Sequence, residues 1–198
     1  MELIIVRHGE TRENVTKTIQ GQTSGSGLTE KGVQQAEQAA EALRGAKIST
    51  AYSSDLERTR QTAEIIASKN PVQFILTPLL RERSYGEYEG KPTALLDEWA
   101  KKEGKNRYLI EPAGGETLEE FYLRIKEFLT QLAKTHKDGE TILLVTHKGA
   151  ISMIHAIIKG TKPIDAMSIT QGNAEVARLA LPSEIKNEKI EKKTKVRR

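Results

Sequence analysis

The 198-residue chain contains no cysteine, which excludes a disulfide framework, a thiolate nucleophile and a zinc–thiolate centre. No apolar run approaches the ~18–20 residues of a membrane-crossing helix, and the first residues carry no signal-peptide pattern. Together these absences predict a soluble, cytoplasmic protein without a membrane partner. No His-Glu-x-x-His motif or acidic cluster of ligand spacing occurs, so neither a metal nor any other cofactor is expected. A dominant charge is also missing once the last residues are set aside. Of 31 Lys and Arg, seven lie in residues 182–198, beside three of the 27 Asp and Glu, which leaves 24 of each sign in residues 1–181. A body of zero net charge is a poor nucleic-acid binder. The basic end has only Ile185, Ile190 and Val196 as apolar residues and reads as a flexible tail. No repeat or long linker divides residues 1–181, whose length suits one domain.

What the sequence does contain is two short β-branched apolar runs that each end in a histidine. Leu3-Ile4-Ile5-Val6 leads into Arg7-His8-Gly9, and Ile142-Leu143-Leu144-Val145 leads into Thr146-His147. Such runs suit the interior of a parallel sheet, and open α/β sheets bind ligands at the carboxyl ends of their strands. Two histidines delivered this way predict a paired site, with Gly9 letting the backbone turn closely around the ligand.

The intervening patterns alternate between strand and helix. Thr29 opens a helix to about Arg44, and residues 49–52 form a strand. Ser54-Asp55-Leu56-Glu57 has capping-box spacing and starts a helix to about Ser68. A strand over 72–76 precedes an irregular charged stretch over 77–90 and a helix from Pro92 to about Lys102. Thr117-Leu118-Glu119-Glu120 is a second capping box, followed by apolar positions Leu118, Phe121, Ile125, Phe128, Leu129 and Leu132. A strand over 141–146, a helix to about Lys159 and a strand near 174–181 complete the pattern. The alternation predicts an α/β three-layer sandwich, its mainly parallel central sheet covered by helices on both faces.

An imidazole with a pKa of about 6.5 can be neutral at working pH and offer a lone pair to phosphorus. His8 is the better nucleophile of the pair, because tight packing at Gly9 can hold one ring nitrogen and aim the other. Phosphoryl transfer gathers negative charge on oxygen, and Arg7 and Arg58 can each present a planar fork to it. Arg58 falls in the first turn of a helix, whose free N–H groups also favour an anion. Its competing partners are Asp55 and Glu57. His136, at a helix end, and His155, on a helix face, read as structural.

Arg7-His8-Gly9-Glu10-Thr11 with Asn14, Gln20-Gly21, Leu28-Thr29-Glu30-Lys31-Gly32 and Ser53-Ser54-Asp55-Leu56-Glu57-Arg58-Thr59 occur in this order. Leu80-Arg81-Glu82 with Gly86 and Glu89-Gly90, Gly114-Gly115-Glu116-Thr117 and Thr146-His147 follow. The set resembles the histidine phosphatase superfamily, which includes cofactor-dependent phosphoglycerate mutase. The resemblance implies a histidine acid-type phosphatase, metal-independent, that hydrolyses small phosphorylated metabolites through a phosphohistidine on His8. It places His147 across the phosphoryl group, Asn14, Gln20 and Gly21 beside the phosphate, and Glu82 as general acid. Glu82-Arg83-Ser84-Tyr85-Gly86 is similar to the mutase version of its motif, so Arg83 and Tyr85 are candidates for binding an acidic substrate.

Two departures bear on the rim of the site. Lys148 stands where relatives often carry glycine, which would put an ammonium at the pocket mouth. The Gly-rich stretch over 22–27 lacks the usual Asp and predicts a mobile loop. A short insertion after Glu82, together with Gly114-Gly115-Glu116-Thr117, resembles the phosphatase branch. A phosphatase is therefore expected, with a phosphoglycerate mutase as the alternative. The retained histidines, arginines and acid argue against a catalytically weak phosphate- or protein-binding module. Monomer and homodimer are both compatible with the chain.

Overall fold

The computed structural model describes residues 1–23, 25 and 27–187. The strands are β1 (Glu2–Arg7), β2 (Thr50–Ser54), β3 (Phe74–Thr77), β4 (Thr141–Thr146) and β5 (Val176–Ala180). The helices are α1 (Arg12–Val15), α2 (Glu30–Ala42), α3 (Glu57–Lys69), α4 (Ala94–Glu103), α5 (Leu118–Thr135), α6 (Lys148–Lys159) and α7 (Pro163–Ala166). The sheet order is β3-β2-β4-β1-β5, parallel except that β5 runs antiparallel along the edge of β1.

The strand period of two divides each central run between two cores. Leu3 and Ile5 of β1, with Ile142 and Leu144 of β4, pack under α5 and α6 against Phe121, Ile125, Leu129 and Ile154. Ile4, Val6, Leu143 and Val145 face the other way, onto Ala39 and Ala40 of α2, its C-cap Leu43, and Ala63 and Ile66 of α3. The result is the expected three-layer sandwich, with both faces of the sheet covered. No helix among the described residues is long and apolar enough to cross a membrane.

Three local expectations change. Strand β2 runs on to Ser54, paired through Ser53 with β4 and through Ser54 with β3, so Ser54 is not a helix cap. Leu56 is the N-cap of α3 and makes no side-chain cap bond, whereas Thr117 does form its reciprocal box with Glu120. The chain after Leu181 does not turn at once into a tail. Ser183–Asn187 is a 3₁₀ helix, and Ile185, only 5 % exposed, packs in the α5–α6 core. Of the tail expected over 182–198, residues 188–198 lie outside the described residues.

Candidate active site

Parallel pairing of β1 and β4 sets Arg7 opposite Thr146, so the next residues, His8 and His147, emerge side by side. Their ring centroids are 5.3 Å apart, and both side chains are buried. The His8 backbone N–H donates to the Thr146 carbonyl at 2.9 Å, locking the two strand ends together. His8 Nδ1 lies 2.8 Å from the Gly9 carbonyl, which can only accept, so Nδ1 carries the proton and Nε2 keeps its lone pair. Burial first, then the Arg58 and Arg7 charges, lower the His8 pKa well below its ordinary value, and the ring is neutral at neutral pH.

Gly9 is small for a different reason from the one expected. A Cβ there would run into the Gly32 carbonyl, and one on Gly32 would run into the Glu10 backbone. The two glycines let the end of β1 meet the first turn of α2 backbone to backbone.

Arg58 lies in the first turn of α3 and is 1 % exposed. Its Nε donates to His147 Nδ1 at 3.2 Å, Nη2 to the Gly21 carbonyl at 2.8 Å and Nη1 to the Thr23 carbonyl at 3.4 Å. Neither competing carboxylate pairs with it. Asp55 is held by Arg81 in a two-pronged pair, and Glu57 by Arg60 and Gln61. Burial lowers the Arg58 pKa to about 10, with Glu82 pulling upward, so the group remains a cation at neutral pH. Arg7 donates Nη1 to the Gln171 carbonyl at 2.9 Å, while its buried Nε meets no acceptor among the described residues.

Because His147 accepts from Arg58 through Nδ1, its proton is on Nε2, which donates to Ser54 Oγ at 3.0 Å. Burial and the Arg58 charge push its pKa well down. His147 thus stands beside His8 and holds the Nε of Arg58.

The cleft, of about 200 Å³, is lined by Arg7, His8, Asn14, Gln20, Gly21, Arg58, Glu82, Tyr85 and Lys148, with Arg107 and Tyr108 among the remaining walls. Glu82 is held through both oxygens: Oε1 accepts from the Arg83 N–H at 2.8 Å and Oε2 from the Gly149 N–H at 3.0 Å. Gly149 is in the first turn of α6, so a free helix N-terminal donor fixes the carboxylate. A Cβ at Gly149 would collide with Glu82 Oε1. Gln20 accepts the Thr11 hydroxyl, and Gly21 has φ +51°, with Glu89 filling the space a side chain would need.

Arg83 is the expected rim residue that the structure moves elsewhere. It is 1 % exposed, away from the cleft lining, and donates to the carbonyls of Glu116 (2.8 Å), Tyr108 (2.7 Å) and Ile110. The irregular stretch from Tyr108 to Glu116 has carbonyls without ladder partners, and the guanidinium satisfies three of them. Sequence reasoning also missed the support beneath Glu82. Arg124 of α5 donates to the carbonyls of Leu79 (2.8 Å), Arg81 (2.9 Å) and Glu82 (3.1 Å), and it grips both oxygens of Glu116 at 2.7 and 2.8 Å. Its local signal is faint: an arginine next to Ile125 on the flank of an apolar helix face.

Comparison with known proteins gives a consistent result. A family model described as histidine phosphatase superfamily (branch 1) matches residues 3–189. Fructose-2,6-bisphosphatase TIGAR of Xenopus laevis is 38 % identical over 156 residues, covering 77 % of this chain and 57 % of that protein. This chain therefore spans little more than half of that relative's length. Phosphoglycerate mutase-like protein 4 of Arabidopsis thaliana is 40 % identical over 161 residues, 78 % of this chain and 69 % of that one. Among solved structures, a mycobacterial glucosyl-3-phosphoglycerate phosphatase in complex with VO3 superposes with a TM-score of 0.80 at 26 % identity, covering 90 % and 92 % of the two chains. Bacillus stearothermophilus YhfR gives 0.80 at 27 % identity, with 89 % of each chain covered.

Proposed function

This chain belongs to the histidine phosphatase superfamily, and from that premise we propose that it hydrolyses phosphomonoesters of small metabolites through a phosphohistidine at His8, without a metal ion. One observation carries the reading: His8 Nε2 keeps a free lone pair, and the two arginines beside it are hydrogen-bonded to no carboxylate among the described residues. The Nε2 lone pair attacks phosphorus in line with the ester oxygen, the P–N bond forms and the P–O bond breaks. Arg7 and Arg58 neutralise the charge spread over the equatorial oxygens, the work that a metal ion does in other phosphoryl-transfer sites. Glu82 gives its proton to the departing alkoxide, then takes one from the water that attacks the phosphohistidine; inorganic phosphate leaves and His8 is restored. His147, beside His8, is the second histidine at the phosphoryl group, and by accepting from Arg58 Nε it fixes that guanidinium as well.

The other walls bear on the substrate. Lys148 has no ion-pair partner among the described residues, and burial raises the Tyr85 pKa to about 12, which keeps its hydroxyl protonated. An ammonium and a neutral hydroxyl beside a site already balanced for one phosphate favour a substrate with a second acidic group, such as a sugar bisphosphate or a phospho-acid. The same feature supports the second reading, a phosphoglycerate mutase.

The test is turnover of nitrophenyl phosphate, fructose-2,6-bisphosphate, phosphoglycerates and phosphoserine in excess chelator. Phosphate release undiminished by chelator is the expected outcome. Interconversion of phosphoglycerates without phosphate release would assign a mutase. Loss of turnover restored by a divalent ion would overturn the metal-free mechanism.

A further inference from the structure

Asn173 lies in the turn before β5, 159 positions from Asn14, yet the two amides meet at the cleft. Each is oriented by a backbone group with only one hydrogen-bonding sense. The Thr11 N–H can only donate, and it meets Asn14 at 3.2 Å, so the atom there is Oδ1. The His8 carbonyl can only accept, and it meets Asn173 at 3.0 Å, so the atom there is Nδ2. The same Nδ2 donates to Asn14 Oδ1 at 3.1 Å, and the two independent assignments agree. The turn itself is pinned: Ala174, at φ +53°, donates its N–H to the carbonyls of Arg7 (3.0 Å) and His8 (3.3 Å).

With Oδ1 held twice, what Asn14 has left for the cleft is its NH₂ group. We propose that Asn173 is a positioning residue that makes Asn14 present a donor, and not an acceptor, to the phosphoryl group. The proposal rests on the reading that this cleft binds phosphate. A carbonyl oxygen turned toward an anionic phosphoryl oxygen would repel it, so the sense of this one amide decides whether Asn14 helps or hinders. Asn173 sets that sense without touching the substrate, and through the His8 carbonyl it ties the amide to the strand end that carries the nucleophile.

A double-mutant cycle on the full chain tests this, read as the inhibition constant of inorganic phosphate and of vanadate. Asn14→Ala is expected to weaken both about 10-fold or more, as loss of one hydrogen bond to a charged group does. Asn173→Ala should cause a similar loss, and the double variant should be no weaker than Asn14→Ala alone. Losses that multiply in the double variant would overturn the proposal, because Asn173 would then act by another route. If Asn14→Ala leaves phosphate affinity unchanged, the phosphate-contact reading of Asn14 fails and takes the proposal with it. Should Asn173→Ala fail to fold, the near-isosteric, uncharged Asn173→Leu serves instead. It removes the donor that fixes the Asn14 amide, so phosphate should bind more weakly than to the parent and no more weakly in the Asn14→Ala background. Unchanged phosphate affinity in Asn173→Leu would overturn the proposal as well.

Discussion

At the scale of single residues, each reactive group owes its form to the partner of its other end. The Gly9 carbonyl holds the proton on His8 Nδ1, and Ser54 and Arg58 divide the two nitrogens of His147. Glu82 is offered to the cleft with both oxygens on backbone N–H groups. From this placement, Glu82→Gln should slow an alkyl phosphate by about 10²–10⁴-fold, the usual contribution of a general acid. A nitrophenyl phosphate, whose leaving group departs with little protonation, should be far less affected. Single-turnover rates on the two esters measure the difference; equal losses would remove Glu82 from the acid role. His8, Arg7, Arg58 and Glu82 each stand in a short motif of the sequence, and the structure brings all four to one cleft. Sequence could not show that Arg83, next to Glu82, turns away. That direction is set by carbonyls 25, 27 and 33 positions further along the chain.

At the scale of elements, the site is a junction of two strand ends and two helix starts. β1 and β4 bring the histidines, the first turn of α3 brings Arg58, and the first turn of α6 holds Glu82. The alternation of strands and helices, and the Thr117 cap, were legible from periodicity. Strand β2 outran its expected end because pairing with β3 and β4 outweighed a local capping preference. The α6 contact yields a prediction for Gly149→Ala. The added methyl lies against the mobile end of Glu82 and 3.2 Å from Phe121 Cε1, so the fold should survive while the carboxylate is displaced. Activity should fall with the leaving-group pattern of Glu82→Gln, by about 10²-fold on alkyl esters. A variant that melts like the parent and turns over both esters at the parental rate would show that Gly149 does not set the acid.

At the scale of the whole molecule, the sheet order puts β1 and β4 at the centre, where both faces are buried and the strand ends are most firmly held. That order is absent from any local pattern, because residue 8 meets residue 147 only through long-range pairing. The burial of Ile185 in the α5–α6 core is illegible for a related reason: one isoleucine in a charged stretch carries no periodicity. Burying such a side chain contributes about 1.5–3 kcal/mol. A chain stopped after Pro182 should therefore melt roughly 3–10 °C below one stopped after Asn187. Equal melting temperatures would show that Ser183–Asn187 adds nothing to the fold. The central claim is that His8 carries the phosphoryl group, and it is tested most directly by rapid mixing with substrate, quenching in alkali and mapping the label by mass spectrometry. The account predicts a phosphoryl group on His8 and none in His8→Ala; a label on His147, or full turnover by His8→Ala, would contradict it.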